Sequence, residues 1–344
     1  MVNNIIVMTK NHSDLIITGA TGFVGRYLVR KIARVYPKRN ITCLIYAKNS
    51  DSEKKGRKLI NSLGLNTRKV DVVNGEGLDN LPKEPKLVIH LAASTDTSIS
   101  DHRANDVGTR NLYEAIGKLK GNSHFIYIGT MVNVAGRPNC TQPIDEDTPD
   151  YPSNEYTRTK LAGEHYLIQK CKKDKFSLTI LRPNTIYGRG VRPNSLFDIL
   201  KNMILKESFI TRLNWPGKSA LIHVDDVVSA IIQFSKRKPK PGIPEKYLLY
   251  AENLSIADIS NLMHKSLKIP YRPIAVPDTA WKIIAKTRKF IPLLENILPP
   301  FLYNQVWRTG IIVDDSVTCQ TQKAIKTLNN WRPKMLKESI SDVL

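Results

Sequence analysis

Residues 15–25 read Leu15-Ile16-Ile17-Thr18-Gly19-Ala20-Thr21-Gly22-Phe23-Val24-Gly25. An apolar run of buried-strand length feeds a turn with three glycines. The turn leads into Tyr27-Leu28-Val29 and Ile32-Ala33, which read as an apolar helix face. Strand, glycine turn and helix in that order form a dinucleotide site. The first glycine allows the tight turn, the second lets the backbone approach a pyrophosphate, and the third lets helix and strand pack closely. The helix N-terminus then offers free N–H groups and a positive dipole end to the phosphates. Gly19, Thr21, Gly22, Phe23, Val24, Gly25 and Arg26 are therefore expected at a cofactor.

Beyond this turn, strand-like runs alternate with helical patterns. The expected strands are 15–18, 41–46, 69–73, 87–91, 124–128, 177–181 and 247–250, with helical patterns at 108–118 and 159–170. Such alternation implies a parallel sheet covered by helices on both faces, with ligands at the carboxyl ends of the strands. The fold class is α/β: a Rossmann-type doubly wound parallel sheet with a smaller C-terminal substrate lobe. Residues 1–13 read as a leader. Residues 14–182 read as the NAD(P)-binding domain, with 218–252 returning to it. Residues 183–217 and 253–344, where prolines punctuate the chain, read as the substrate-binding lobe.

The 344 residues, 41% of them hydrophobic, suffice for one such large domain with a lobe. No apolar run approaches the ~20 residues that span a bilayer, and no signal-peptide core is evident. Cys43, Cys140, Cys171 and Cys319 are scattered, which suits reduced thiols in a cytoplasmic protein and no metal site. The net charge is +21, yet there is neither zinc spacing nor an RNA-binding aromatic strand. A lysine-rich surface with a phosphate-bearing small-molecule ligand is expected, and no nucleic acid. Basic residues from Lys282 to Lys289 precede Phe290, Ile291, Leu293, Leu294, Ile297, Leu298, Phe301 and Leu302. Two readings stay open for 281–302: a packed lobe helix with solvated lysines, or a peripheral membrane contact.

Tyr156 and Lys160 stand at i and i+4 on one helix face. An ammonium beside a phenol favours the phenolate and lowers its pKa from ~10. A tyrosine so tuned exchanges a proton with an alcohol or ketone. With the glycine turn, this pair makes the chain resemble the extended short-chain dehydrogenase/reductase superfamily, in its NAD-dependent epimerase/dehydratase branch. The resemblance rests further on Asp71 after the third strand, His90-Leu91-Ala92-Ala93, Asn105-Asp106-Val107-Gly108-Thr109, Leu181-Arg182-Pro183-Asn184-Thr185-Ile186-Tyr187-Gly188 and Ile222-His223-Val224-Asp225-Asp226. It covers nearly all of 14–252 and, more weakly, the lobe.

The resemblance implies a catalytic trio of Tyr156, Lys160 and Thr130, the last at the end of the fifth strand, where its hydroxyl would steady the substrate oxygen. The loop from Thr130 to Gly136 is one residue longer than usual. Lys160 is expected to hold the ribose hydroxyls and depress the Tyr156 phenol. Asp71, Val72, Leu91, Ala92, Ala93, Asn105 and Pro183 complete the expected cofactor contacts, and Thr95, Met131, Asn184, Thr185, Arg192 and Lys218 the substrate contacts. A homodimer is the family's common assembly.

No carboxylate ends the second strand to take a ribose 2′-hydroxyl, while Lys48 and Arg26 suit a 2′-phosphate. NADP is thus preferred to NAD. Segments 190–196 and 215–218 resemble nucleotide-sugar epimerases. Two family positions depart from the pattern: Thr185 follows Asn184 where an Asn is usual, and Ser219 replaces an Arg beside Lys218. Met131 and Val132 after Thr130 lack the acid that a 4,6-dehydratase needs. The expected activity is hydride transfer at a secondary alcohol or ketone, by a nucleotide-sugar epimerase or reductase. Val134-Ala135-Gly136 also resembles the 3β-hydroxysteroid dehydrogenase and dihydroflavonol reductase branch, an alternative with a hydrophobic ketone. A non-catalytic nucleotide-binding subunit is the third reading, since a fold does not fix a function.

Overall fold

The computed structural model describes residues 14–46, 50–96, 99–135, 143–313 and 318–344. The expected leader, Lys48, Cys140 and residues 136–139 of the long loop lie outside them.

The chain opens with β1 (Leu15–Thr18), α1 (Phe23–Ile32), β2 (Ile41–Ile45), α2 (Asp51–Ser62), β3 (Asn66–Lys69) and β4 (Leu87–His90). It continues through α3 (Val107–Ala115), β5 (His124–Ile128), α4 (Val132–Ala135), α5 (Glu155–Asp174) and β6 (Ser177–Pro183). Next come β7 (Thr185–Tyr187), α6 (Leu196–Leu205), β8 (Lys218–His223), α7 (Val224–Lys236), β9 (Glu245–Leu249), β10 (Glu252–Ser255) and α8 (Ile256–Ser266). The last helices are α9 (Asp278–Thr287), α10 (Pro300–Ile312), α11 (Lys323–Thr327) and α12 (Leu336–Ser339).

Seven strands form one parallel sheet in the order β3-β2-β1-β4-β5-β6-β9. The order reverses between β1 and β4, and this is where such sheets open a ligand crevice. Alternate side chains of each strand feed opposite layers. Leu15 and Ile17 join Leu28, Val29 and Ile32 of α1 and Val227 and Ile231 of α7 on one face. Ile16, Val88, Phe125 and Tyr127 join Leu112 of α3 and Leu167 of α5 on the other. Both faces being covered explains why these strands read as continuous apolar runs.

The lobe has its own core, where Tyr187, Phe197, Leu200, Ile259 and Met263 pack over a three-stranded sheet of order β10-β8-β7. Three expectations need correction. The third strand is 66–69, not 69–73; it is largely exposed at the sheet edge, so it carries no apolar signature, and Asp71 falls in the turn behind it. Within 218–252, only β9 joins the main sheet. β8 pairs with β7 and β10 in the lobe, while α7 crosses back to pack on α1. Nor do all of 253–344 stay in the lobe: Ala324, Leu328 and Trp331 enter the main apolar layer, and the Trp331 indole donates to the Asp226 carbonyl at 3.0 Å.

At the seam between the halves lies a buried ion triad. Arg182 on β6 donates to Glu164 of α5 through Nε (2.9 Å) and Nη2 (2.6 Å), and through Nη1 to Asp150 (2.6 Å). Arg182 and Glu164 have no exposed side-chain surface. Burial alone would lower this guanidinium, but the two carboxylates hold it above its ordinary value.

Candidate functional site

The glycine turn is closed by backbone. Gly19 has φ +64°, and a Cβ there would meet the Ala92 nitrogen at 2.7 Å. A Cβ on Gly25 would lie 2.1 Å from the Gly19 carbonyl oxygen, so only glycine lets α1 start this close to the turn. The turn floors a groove of about 360 Å³ whose walls include Thr18, Thr21, Gly22, Leu44, Tyr46, Glu53, Asp71, Val72, Leu91, Ala92 and Ala93. Gly19, Thr21, Gly22, Asp71, Val72, Leu91, Ala92 and Ala93 are thereby brought together as expected. Phe23, Val24 and Gly25 stand behind the groove in the first turn of α1.

Arg26 departs from its expected place. Its guanidinium donates to the Thr21 carbonyl (3.0 Å), Ser52 Oγ (2.8 Å) and the Gly190 carbonyl (3.3 Å), and it does not line the groove. Glu53 does line it. Glu53 Oε1 accepts from Thr21 Oγ1 at 2.7 Å. Glu53 Oε2 is buried with no hydrogen-bond partner among the described residues, the Arg57 guanidinium lying 3.9 Å away. The sequence signal for it was Ser50-x-x-Glu53, a helix-start pattern; Ser50 Oγ does cap α2 by accepting from the Glu53 N–H. The Glu53 side chain, instead of reaching back to the cap, crosses to the glycine turn. Asp71 is fixed at the far wall, its carboxylate accepting from the Val73 and Asn74 N–H groups at 2.8 and 3.1 Å.

A buried polar chain joins this groove to the helix that carries Tyr156. Ala92 N–H donates to Thr18 Oγ1 at 2.9 Å, and Thr18 Oγ1 lies 2.6 Å from His90 Nδ1. His90 Nε2 lies 2.9 Å from Thr109 Oγ1, which donates to the Asn105 carbonyl at 2.7 Å. Thr109 has spent its proton, so it accepts from Nε2–H, and Nδ1 accepts from Thr18. One neutral tautomer satisfies every bond. Burial, with the nearby Lys160 charge, drives the ring's pKa down to about 3, which keeps it neutral. The Asn105 amide then ties Ser94 to Thr159 of α5 through Nδ2 bonds of 3.0 and 3.1 Å. Asn105 thus serves the groove through its neighbours rather than by lining it.

Asn154 caps α5 by accepting from the Thr157 N–H at 2.9 Å, which fixes the turn that presents Tyr156. Thr130 is buried at the end of β5, near enough to the Tyr156 hydroxyl to favour its phenolate. Thr130 Oγ1 also accepts from the Val132 N–H at 3.3 Å. The His102 ring packs edge-on to Tyr156 at 5.7 Å. The Lys160 ammonium donates to the Ile128 carbonyl at 2.6 Å and sits 4.6 Å from the Tyr127 ring centre. Burial lowers Lys160 to about 7, against the raising pull of Glu164.

The expected depression of the Tyr156 phenol is corrected. Burial raises it above the ordinary value; Thr130 and the Arg192 charge pull the other way, and Lys160 is not among the groups acting on it. The physical reason is direction: the ammonium is turned toward Ile128.

Among the expected substrate contacts, Arg192 Nη1 donates to Thr95 Oγ1 at 3.1 Å. Met131 is buried, and its N–H donates to the Pro183 carbonyl at 3.0 Å, holding the Thr130 turn against the end of β6. Asn184 is half-buried one residue beyond Pro183. Thr185 Oγ1 lies 2.7 Å from Ser219 Oγ. Lys218 is exposed at the start of β8, opposite Ser255. Sequence reasoning missed Arg308 on α10, which lies within electrostatic reach of both Arg192 and Asp96. Its signal was faint, one arginine in an otherwise uncharged stretch of the lobe. Burial and the Arg192 charge lower it, and Asp96 raises it.

Residues 15–249 match the NAD dependent epimerase/dehydratase family. The chain is 26% identical over 235 residues to dTDP-D-glucose 4,6-dehydratase of Dictyostelium discoideum, covering 63% of this chain and 54% of that one. The chain thus spans about half the length of that relative. It is 26% identical to UDP-glucose 4-epimerase of Vibrio cholerae over 293 residues, covering 80% and 83% of the two chains. A solved UDP-glucuronic acid 4-epimerase from Bacillus cereus, in complex with UDP-glucuronic acid and NAD, superposes with TM-score 0.69 at 22% identity. That superposition covers 95% of this chain and 96% of the other.

Proposed function

The chain belongs to the NAD-dependent epimerase/dehydratase family, and from that premise we propose an epimerase that acts on a secondary alcohol of a nucleotide sugar. The observation that carries the reading is a pair of neighbouring guanidiniums, Arg192 within electrostatic reach of Tyr156 and Arg308 within reach of Arg192. Two neighbouring guanidiniums, one of them within reach of the phenol, suit a diphosphate held near a reacting hydroxyl. They stand in for the arginine that the sequence lacks at Ser219.

The residues present fit a nicotinamide dinucleotide. Gly19 and Gly25 let α1 start hard against the turn, which brings a helix N-terminus uncapped by any side chain to the groove for the pyrophosphate, and Glu53 offers a carboxylate oxygen with no hydrogen bond. That oxygen supports NAD over NADP: it would accept a ribose 2′-hydroxyl and repel a 2′-phosphate, and Arg26 is held elsewhere. This reverses the preference drawn from sequence. When bound, the nicotinamide supplies the redox chemistry.

The protein's own part is the proton. Tyr156 removes it from the substrate hydroxyl and returns it after the intermediate ketone has turned. Thr130 donates to the same oxygen and steadies its charge. Lys160, turned toward the Ile128 carbonyl, anchors the helix that carries Tyr156 to the end of β5. A dehydratase needs an acid after Thr130. Met131 is buried there, and Val132 packs against Ile291, Tyr303 and Trp307, which supports epimerisation over water loss.

The test incubates the protein with NAD and a panel of UDP- and dTDP-sugars, reading epimer formation by NMR and absorbance at the nicotinamide band. A new epimer with flat absorbance is expected. Steady consumption of reduced cofactor with a ketone, and no epimer, would replace the reading with a reductase. No turnover with any substrate, and no change on Tyr156→Phe, would leave only a nucleotide-binding subunit.

A further inference from the structure

Helix α9 buries one large side chain. Trp281 donates from Nε1 to Asn214 Oδ1 at 3.2 Å and stacks on Trp215 at 4.8 Å, while the rest of the helix faces outward or lies half-covered. Ile283 on that outward side is 65% exposed. The segment that follows repeats the pattern: Ile291 is buried, whereas Leu293 is 67% and Ile297 73% exposed. Helix α10 turns Tyr303 and Trp307 inward and leaves Phe301 and Leu302 exposed. Helices of water-soluble proteins keep their apolar stripe inside. Here the stripe is split, and half of it faces out over three consecutive elements that pack on one another. Clustered exposed apolar groups of this kind mark an interaction surface.

The charges around it are mostly positive, with Asp278 at the start of α9 the exposed exception. Lys282, Lys286 and Lys289 are exposed, and the Lys289 ammonium lies 5.0 Å from the Phe290 ring centre. Glu295 is the only acidic residue between 279 and 312. It is spent on Arg158, which bonds both of its carboxylate oxygens. The whole chain carries +21.

We propose that the outward face of 281–306 docks onto a membrane surface rich in anionic lipid. Apolar side chains would enter the acyl boundary while the lysines meet the headgroups, as interfacial segments do. A second copy of the chain fits worse. A two-fold contact sets the same patch against itself, and here that brings three lysines to three lysines with one exposed carboxylate, Asp278, on each copy of α9 to answer them. No helix among the described residues is long and apolar enough to cross a membrane, so the contact is a surface one.

The inner side of the same element gives the contact a consequence. Tyr303 donates to the Ser153 carbonyl at 2.9 Å, and Trp307 Nε1 to Ser153 Oγ at 2.9 Å. Ser153 precedes the Asn154 cap of α5, so the docking face and the turn that presents Tyr156 are two sides of one layer. The inference does not depend on which reaction the cleft performs.

The experiment sediments the full chain with sucrose-loaded vesicles, either phosphatidylcholine alone or phosphatidylcholine mixed with phosphatidylglycerol. Binding is expected to the mixed vesicles alone and to weaken with salt. Changing Lys282, Lys286 and Lys289 together to Gln should lower the partition constant about fivefold per charge removed. The triple variant Leu293→Ser, Ile297→Ser, Phe301→Ser should lower it by at least about a hundredfold. Both variants replace exposed side chains and should keep wild-type NAD affinity and melting temperature, which separates lost docking from lost folding. The proposal is overturned if neither vesicle carries the protein down, if the variants sediment like the parent, or if light scattering shows a dimer that the apolar variant dissolves.

Discussion

The glycine turn and the α9–α10 layer handle apolar surface in opposite ways. Around the turn, β1 is buried at every position and α1 turns Leu28, Val29 and Ile32 inward. Around α9, one tryptophan holds a ten-residue helix and its isoleucines face out. The first region is fixed by backbone contacts that tolerate no added atom. The second has space on its outer side and mostly positive charge. The difference teaches where a substitution will be felt in folding and where only in encounter with something else.

The hardest blow to that contrast is Gly25→Val. Its Cβ would fall 2.1 Å from a carbonyl oxygen, so α1 must shift bodily. A loss of about 3 kcal/mol or more of stability is expected, with NAD binding abolished in calorimetric titration. If the variant melts and binds like the parent, the turn is not the fixed region described. Arg182→Met comes next. It leaves Glu164 and Asp150 without their cation, and removing one partner of a buried ion group costs about 3–5 kcal/mol. Urea unfolding should show it at neutral pH, and a shift under about 1 kcal/mol would mean that water reaches the carboxylates.

Tyr156→Phe should leave the fold intact and cut kcat by roughly a hundredfold to ten-thousandfold, with unchanged NAD affinity. Lys160→Met sharpens the same point through pH. Lys160 sits near 7 in the folded chain against an ordinary 10.5. Between those values the unfolded chain holds a proton that the folded chain does not, so stability rises with pH across that window. Its burial penalty is full below 7 and gone above 10.5. Thermal melts should therefore show Lys160→Met stabilising the protein more at pH 6 than at pH 10, and equal effects would contradict the buried ammonium. Smallest of all is Ile297→Ser, expected within about 0.5 kcal/mol of the parent. A large loss there would mean that the outward face is buried after all.

Much of the first region was legible in the sequence, and the reason is local. A strand, three glycines and an amphipathic helix carry their signal within consecutive residues. Tyr156 and Lys160 likewise declare themselves through helical spacing. What escaped depends on partners distant in the chain. Glu53 reads as a helix-start residue, and only folding shows it reaching across to Thr21. Arg26 reads as a phosphate ligand until Ser52 and Gly190 claim it. The phenol of Tyr156 was misjudged because spacing fixes the face of a helix, not the direction of an ammonium. β3 was displaced because an exposed edge strand has no apolar run to show. Segment 281–302 keeps two readings in the sequence because periodicity reports which residues are apolar, not which of them find cover.

The strand order also bears on how the chain is made. β1 is made before the other described strands, yet it sits in the middle of a sheet whose far edge, β9, ends at Leu249. The apolar layer beneath, packed by α1 and α7, takes Ala324, Leu328 and Trp331 from the last of the described residues. At ~5–20 residues per second, a ribosome needs many seconds to reach them. During that interval the early strands stand with an open edge and an unfinished apolar layer, a target for chaperones. A nascent chain stalled before Trp331 would carry the whole glycine turn yet lack the last part of its own core.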